Sequence, residues 1–193
     1  MRFKLSILVL FVAASLTVQA QTIYLKPHFG VGIGVGSART VLSPNFIYAL
    51  KFQTHPNMRV FYRVRKDRFV FQPEIHYNVK GGTFSGETAV IRHNFNYLSV
   101  QPVVGYILTE GLTLEVGAEY GRSLNGPASY GTNKPNESSL MVGAQIDLLD
   151  FAEDFSVNFR YIYGLTDISP IPNQTMYNRT FQLTAIYNFY RKK

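Results

Sequence analysis

Residues 112–122 read LTLEVGAEYGR. Leu112, Leu114, Val116, Ala118 and Tyr120 fall on one parity, and Thr113, Glu115, Gly117, Glu119 and Gly121 on the other. Successive side chains of an extended strand point to opposite sides, so this segment is a β-strand with one apolar and one polar face. The pattern recurs through most of the chain and predicts eight strands. The first covers about 24–36, with Phe29, Val31, Ile33 and Val35 opposite Gly30, Gly32, Gly34 and Gly36. The second ends at Val64 and begins as early as Phe46, with His55-Pro56-Asn57 as an interruption. The others are predicted at 69–80, 95–108, 112–122, 140–148, 155–163 and 179–191.

Short connections at 65–68, 109–111 and 149–154 alternate with long ones near 37–45, 81–94, 123–139 and 164–178. Short turns on one side and long loops on the other are the pattern of a transmembrane β-barrel, whose turns face the periplasm and whose loops face outward. The predicted fold is therefore all-β: an eight-stranded antiparallel up-and-down transmembrane barrel.

Alternation alone does not say which face meets water. Three features place the apolar face outside, against lipid. Away from the strand ends, the apolar faces of the first and of the third to eighth strands carry no charge. The polar face of the first strand is nearly all glycine, which suits a narrow interior and gives nothing to a wetted exterior. Aromatic residues (Phe69, Tyr77, Tyr106, Tyr120, Phe155, Tyr163, Phe181, Tyr187 and Phe189) recur near strand ends, as in interfacial girdles.

The inward face then gathers Lys26, His28, Arg59, Arg63, Glu74, His76, Lys80, Glu115, Glu119, Asp147 and Arg160. The cluster expected to fill or line the interior is Arg63, Glu74, His76, Glu115, Glu119, Asp147 and Arg160. An eight-stranded barrel is only wide enough to be filled by side chains. Opposite charges there are expected to pair and form a plug, because a buried charge is tolerated only when paired and hydrogen-bonded.

The N-terminus reads as a secretory signal peptide. Arg2 and Lys4 form a basic start, Leu5–Leu16 an apolar stretch, and Val18-Gln19-Ala20 a small-residue cleavage site. The expected division is a signal peptide at 1–20 and one barrel domain at 21–193, delivered to the outer membrane after cleavage near Ala20. The chain has no cysteine, which excludes disulfides and thiol chemistry. Its net charge of +7 is scattered, with no interleaved aromatic-basic patch of the nucleic-acid type. No metal-ligand spacing and no phosphate loop is present: Gly30 to Gly36 recur every second residue, within a strand. His76 lies two residues from Glu74 on one face, but no serine nucleophile motif accompanies the pair. No catalytic residue, cofactor or metal is assigned.

Several segments resemble one family. Phe71-Gln72-Pro73-Glu74-Ile75-His76-Tyr77 followed by Lys80-Gly81-Gly82 is similar to its strand-three motif. Residues 96–102 (NYLSVQP), 160–168 (RYIYGLTDI) and 181–189 resemble its next strand, its seventh strand and its closing strand. The family is the outer-membrane β-barrel domain, of the porin-like or PorT-like kind, small barrels of Gram-negative and chiefly Bacteroidota-type bacteria. Two segments depart from it: the chain ends on Arg191-Lys192-Lys193 and not on an aromatic residue, and 41–57 is expected to form an extended outer hairpin.

The resemblance implies the fold and the outer-membrane location, but not one activity. The expected role is that of a non-enzymatic barrel with a packed polar interior that presents outer loops for envelope structure or protein interaction. A narrow porin-like channel and a lipid-modifying enzyme are the alternatives. Expected partners are outer-membrane lipid and lipopolysaccharide (through Arg92, Lys134 and Arg179), the barrel-assembly machinery and an envelope protein.

Overall fold

The structure, a computed structural model, describes residues 26–44, 49–85, 90–125, 135–148, 152–169 and 172–189. The expected signal peptide and Lys134 lie outside them. The described residues form nine strands: β1 (His28–Ser43), β2 (Ala49–Lys51), β3 (Gln53–Lys66), β4 (Phe69–Ser85), β5 (Val90–Thr109), β6 (Leu112–Ser123), β7 (Asn136–Asp147), β8 (Phe155–Gly164) and β9 (Thr175–Phe189). Every pairing is antiparallel. Eight strands form a closed ring, β1-β3-β4-β5-β6-β7-β8-β9, in which β9 returns to β1 from Phe29↔Phe189 to Ser43↔Thr175. The three-residue β2 adds to β4 at one rim.

The parity rule holds around the ring. Phe29, Ile33, Val60, Phe71, Val100, Val116, Val142, Phe159 and Leu183 are exposed, while the residues between them are buried. At the turn end the exposed aromatics meet in pairs: Phe29–Tyr62 at 4.7 Å between ring centroids, Phe69–Tyr106 at 5.4 Å and Phe155–Tyr187 at 5.1 Å. On β9 the apolar outer face runs from Phe189 to Phe181, nine residues, the length a tilted strand needs to cross a bilayer core.

Gly30 and Gly32 of β1 are required by the width of the ring. A Cβ on Gly30 would enter the Phe61 ring, and one on Gly32 would lie 2.9 Å from Thr184 Cγ2 and 3.0 Å from Arg59 Cγ. The bare inner face of β1 is the space that Phe61 and Arg59 occupy.

Five differences from the sequence reading share one cause. The first strand runs 28–43 and not 24–36. The third strand continues to Ser85, the fourth begins at Val90, and the sixth and eighth begin at Asn136 and Thr175. At the loop end the sheet extends past the apolar band, where the outer face turns polar (Ser37, Arg39 and Ser43 on β1). Hydrogen bonding continues there, but no alternation marks it. Lys26, expected to point inward, is exposed and precedes β1.

His55-Pro56-Asn57 is also not an interruption. It pairs within β3 against Gly36, Val35 and Gly34, with Pro56 facing out. The break falls at Phe52 instead. Segment 41–57 is thus not a simple hairpin: β3 pairs with β1 up to Ala38↔Gln53, after which β2 leaves β1 and joins β4. Above Asn57↔Asn78, where β3 and β4 separate, β4 turns in against β1. The motif Lys80-Gly81-Gly82 permits this. Gly81 has φ 129°, a conformation other residues avoid, and a Cβ on Gly82 would sit 2.9 Å from Thr40 N.

Candidate functional site

The structure places all seven residues of the expected cluster inside the ring. Arg63, Glu74, His76, Glu115, Glu119 and Arg160 are almost wholly buried, and Asp147 is half-buried at the turn end. They do not form one cluster. They fall into three tiers along the barrel axis.

The middle tier is built around Arg160 of β8. Its guanidinium forks onto Glu74, with Nη1 donating to Oε2 at 2.7 Å and Nη2 to Oε1 at 2.7 Å. Nη2 and Nε also donate to Glu115 Oε2 at 2.8 and 3.1 Å. Gln72 Nε2 donates to Glu74 Oε1 at 2.7 Å and Asn158 Nδ2 to Glu115 Oε2 at 2.8 Å. Arg59 Nη1 stands 3.7 Å from Glu74 Oε2. Bidentate arginine–carboxylate contacts are the strong form of this interaction because the planar fork matches two oxygens at once. Four strands, β3, β4, β6 and β8, are thereby tied across the lumen.

The upper tier is centred on Lys80. Its Nζ lies 2.6 Å from Glu119 Oε1 and 3.4 Å from Glu137 Oε1, and 5.1 Å from the centre of the Tyr97 ring. Asn178 Nδ2 donates to Glu137 Oε2 at 3.0 Å, and His76 Nδ1 is 3.6 Å from Glu119 Oε2. Glu137 and Tyr97 were missed by the sequence reading. Glu137 lies in the polar extension of β7, where alternation gives no signal. Tyr97 has the right parity, but an aromatic residue among polar ones does not announce itself.

The lower tier is lighter. Arg63 Nη2 donates to Thr113 Oγ1 at 3.0 Å, and Asp147 Oδ1 accepts from Ser156 Oγ at 2.6 Å and Gln145 Nε2 at 2.7 Å. A cavity of about 20 Å³ lies here beside His28, Arg63 and Asp147, room for about one water molecule.

The loop end is stopped by apolar side chains. Phe95, Tyr97 and Met176 converge from β5 and β9 with Ile168, which comes from the connection after β8 and is 0% exposed. Asp167 holds that connection in place, its Oδ1 accepting from Ser169 N at 3.0 Å and Met176 N at 2.8 Å.

Among the described residues the buried charges balance, with Arg59, Arg63, Lys80 and Arg160 against Glu74, Glu115, Glu119 and Glu137. No group of three or more His, Cys, Asp or Glu among them could hold a metal ion. Ser99, the cross-strand neighbour of His76, points its hydroxyl to Glu119 Oε1 at 3.4 Å and not to the imidazole. A serine nucleophile needs its base within hydrogen-bond reach, and all three side chains are sealed from either end.

Residues 7–189 match the family described as outer membrane protein beta-barrel domain. The chain belongs to the outer-membrane β-barrel family. Among solved structures, this outer-membrane barrel is similar to Ail, the attachment invasion locus protein of Yersinia pestis. The two are 18% identical, with a TM-score of 0.51, over 86% of this chain and 100% of that one. The structure of Ail in a phospholipid bilayer nanodisc gives a TM-score of 0.50 at 17% identity, over 85% and 100% of the chains. Neisserial surface protein A follows at 0.46 and 13%, over 84% and 97%. These likenesses concern the fold. No curated protein sequence matches the chain. The family sets the barrel in the Gram-negative outer membrane.

Proposed function

We propose that this barrel is a non-enzymatic mount that holds its loop-end strands and outer loops rigidly above the membrane, for contact with envelope or extracellular proteins. The observation that carries this is the Arg160 fork. One side chain binds Glu74 and Glu115 across the lumen and fills the space that a solute path would need. The four hydrogen bonds of Arg160 to these two carboxylates tie β8 to β4 and β6 and stiffen the ring on which the loops stand. The apolar stop of Ile168, Phe95 and Met176 closes the loop end of the same lumen. A channel would need an open lumen, and an enzyme would need a nucleophile and base that a substrate could reach.

The absence of cysteine makes the display arrangement simple to test, because any introduced thiol is unique. Pro172→Cys at the loop end is expected to react with a membrane-impermeant maleimide on intact cells. Lys66→Cys at the turn end is expected to react only after the outer membrane is permeabilised. Labelling of Lys66→Cys on intact cells, with Pro172→Cys protected, would reverse the orientation and remove the display role.

A further inference from the structure

Arg63 is the exception among the buried cations. It is 5% exposed, yet among the described residues no carboxylate lies within ion-pair distance of it, whereas Arg59, Lys80 and Arg160 each have one. Its hydrogen bonds go to neutral groups: Nη2 donates to Thr113 Oγ1 at 3.0 Å and Nη1 to Gln72 Oε1 at 3.4 Å. Its neighbour on the inner face of β3, Arg59, is a like charge. Arg59 is itself poorly served, since none of its three guanidinium nitrogens has a hydrogen-bond partner in the protein and Glu74 and Glu115 are held by Arg160. A buried cation facing its own sign is costly unless a counter-charge reaches it.

The cavity of about 20 Å³ at the turn end lies against Arg63, and the exposed Lys26 and Thr109 in its wall open it to solvent. Its other ionisable walls are His28, Arg65, Glu110 and Asp147. Arg65 binds both oxygens of Glu110 at 3.1 Å and so neutralises that carboxylate. His28 turns Nδ1 to the Lys26 carbonyl at 2.9 Å. Asp147 Oδ1 is engaged by Ser156 Oγ at 2.6 Å and Gln145 Nε2 at 2.7 Å. Lys26 and Arg63 thus face the cavity as two cations against the one carboxylate of Asp147. Thr113 lines it as well. Because its Oγ1 accepts from Arg63, its hydroxyl proton is left to donate.

We propose that this cavity is a binding site for a single chloride ion, held by the Arg63 guanidinium and the Thr113 hydroxyl. Size decides the class of anion. A space that takes about one water molecule is too small for a phosphate or a carboxylate, whereas a halide is little larger than water. Charge decides against water alone, which offers hydrogen bonds but no counter-charge to Arg63. The ion bridges β3 to β6 at the turn end, where no fork of the Arg160 kind ties the strands.

The test is urea unfolding of the full-length barrel in neutral detergent, with chloride replacing gluconate at constant ionic strength so that screening stays fixed. The wild-type midpoint is expected to climb with the logarithm of chloride concentration, as for a ligand that binds only the folded state. Arg63→Gln is expected to lose this dependence, while the exposed pair Arg92→Gln/Arg122→Gln keeps it. Thr113→Val leaves the charge in place and is expected to weaken chloride binding about threefold or more; it carries the test if Arg63→Gln fails to fold. A wild-type midpoint indifferent to chloride would assign the cavity to water and overturn the site. Equal climbs in wild type and Arg63→Gln, or a Thr113→Val that matches wild type, would overturn it in favour of a general salt effect.

Discussion

Arg160→Met is expected to cost this barrel about 3–5 kcal/mol of stability, the usual penalty for removing one partner of a buried ion pair. The reason lies in what remains. Glu74 and Glu115 would lose hydrogen bonds of 2.7, 2.7 and 2.8 Å. Arg59 stands too far from Glu74, at 3.7 Å, to replace them without moving. The damage is uncompensated negative charge and not lost volume. Arg160→Met combined with Glu74→Gln and Glu115→Gln is therefore expected to recover at least half of the loss, since neutral residues of similar size often replace a buried ionic group at little cost. Urea unfolding in lipid vesicles followed by tyrosine fluorescence, the chain having no tryptophan, reads both variants. A single variant within about 1 kcal/mol of wild type would mean that water reaches the middle tier and screens it.

Gly34→Val is expected to prevent closure of the ring. A Cβ there would run into the carbonyl oxygen of Leu183 and lie 2.7 Å from Thr184 Cα, both backbone atoms of β9. A flexible side chain could move aside, but the neighbouring strand cannot without breaking the β1–β9 ladder, and this ladder joins the first strand of the barrel to the last. Overpacking of an ordinary core costs about 1–3 kcal/mol, and a clash with backbone at the closing seam exceeds that. The expected result is loss of the heat-modifiable folded band on a cold SDS gel. Gly36→Ala, two residues on, is the control. Its nearest contacts would be 3.4 and 3.5 Å, so it is expected to fold normally, with stability within about 0.5 kcal/mol of wild type or slightly above it. Equal behaviour of the two variants would show that the glycines of β1 serve chain flexibility and not close approach.

The two cases show what the sequence carries and what it does not. Residues 112–121 alternate without exception because a lipid-facing strand must keep one face free of polar groups. The same rule sorted Glu74, His76, Glu115, Glu119 and Arg160 to the inside by parity alone. Parity does not say which of them meet. Arg160 and Glu74 are 86 residues apart, and their contact depends on the stagger between strands, which no local pattern encodes. Where the sheet rises past the lipid, the rule lapses. The extension of β7 that carries Glu137 therefore read as loop. Ile168 was hidden for a different reason: it reaches the lumen from a connection with no periodicity, its place fixed by its own N–H donating to Met176 O at 2.9 Å and by the Asp167 hydrogen bonds to Ser169 and Met176. Pro56 misled in the opposite direction. Facing outward beside Val35, it sits within β3, where a proline was read as a break.

The central claim is a lumen closed by its own side chains, and the most direct measurement is conductance. Protein shown to be folded by its cold-gel shift would be inserted into a planar lipid bilayer in molar potassium chloride and held at voltages of either sign. The account predicts no discrete current steps above the bare membrane. Reproducible unitary steps, altered when Arg63, Glu74 or Arg160 is neutralised, would contradict it and make the ion-paired tiers the lining of a pore.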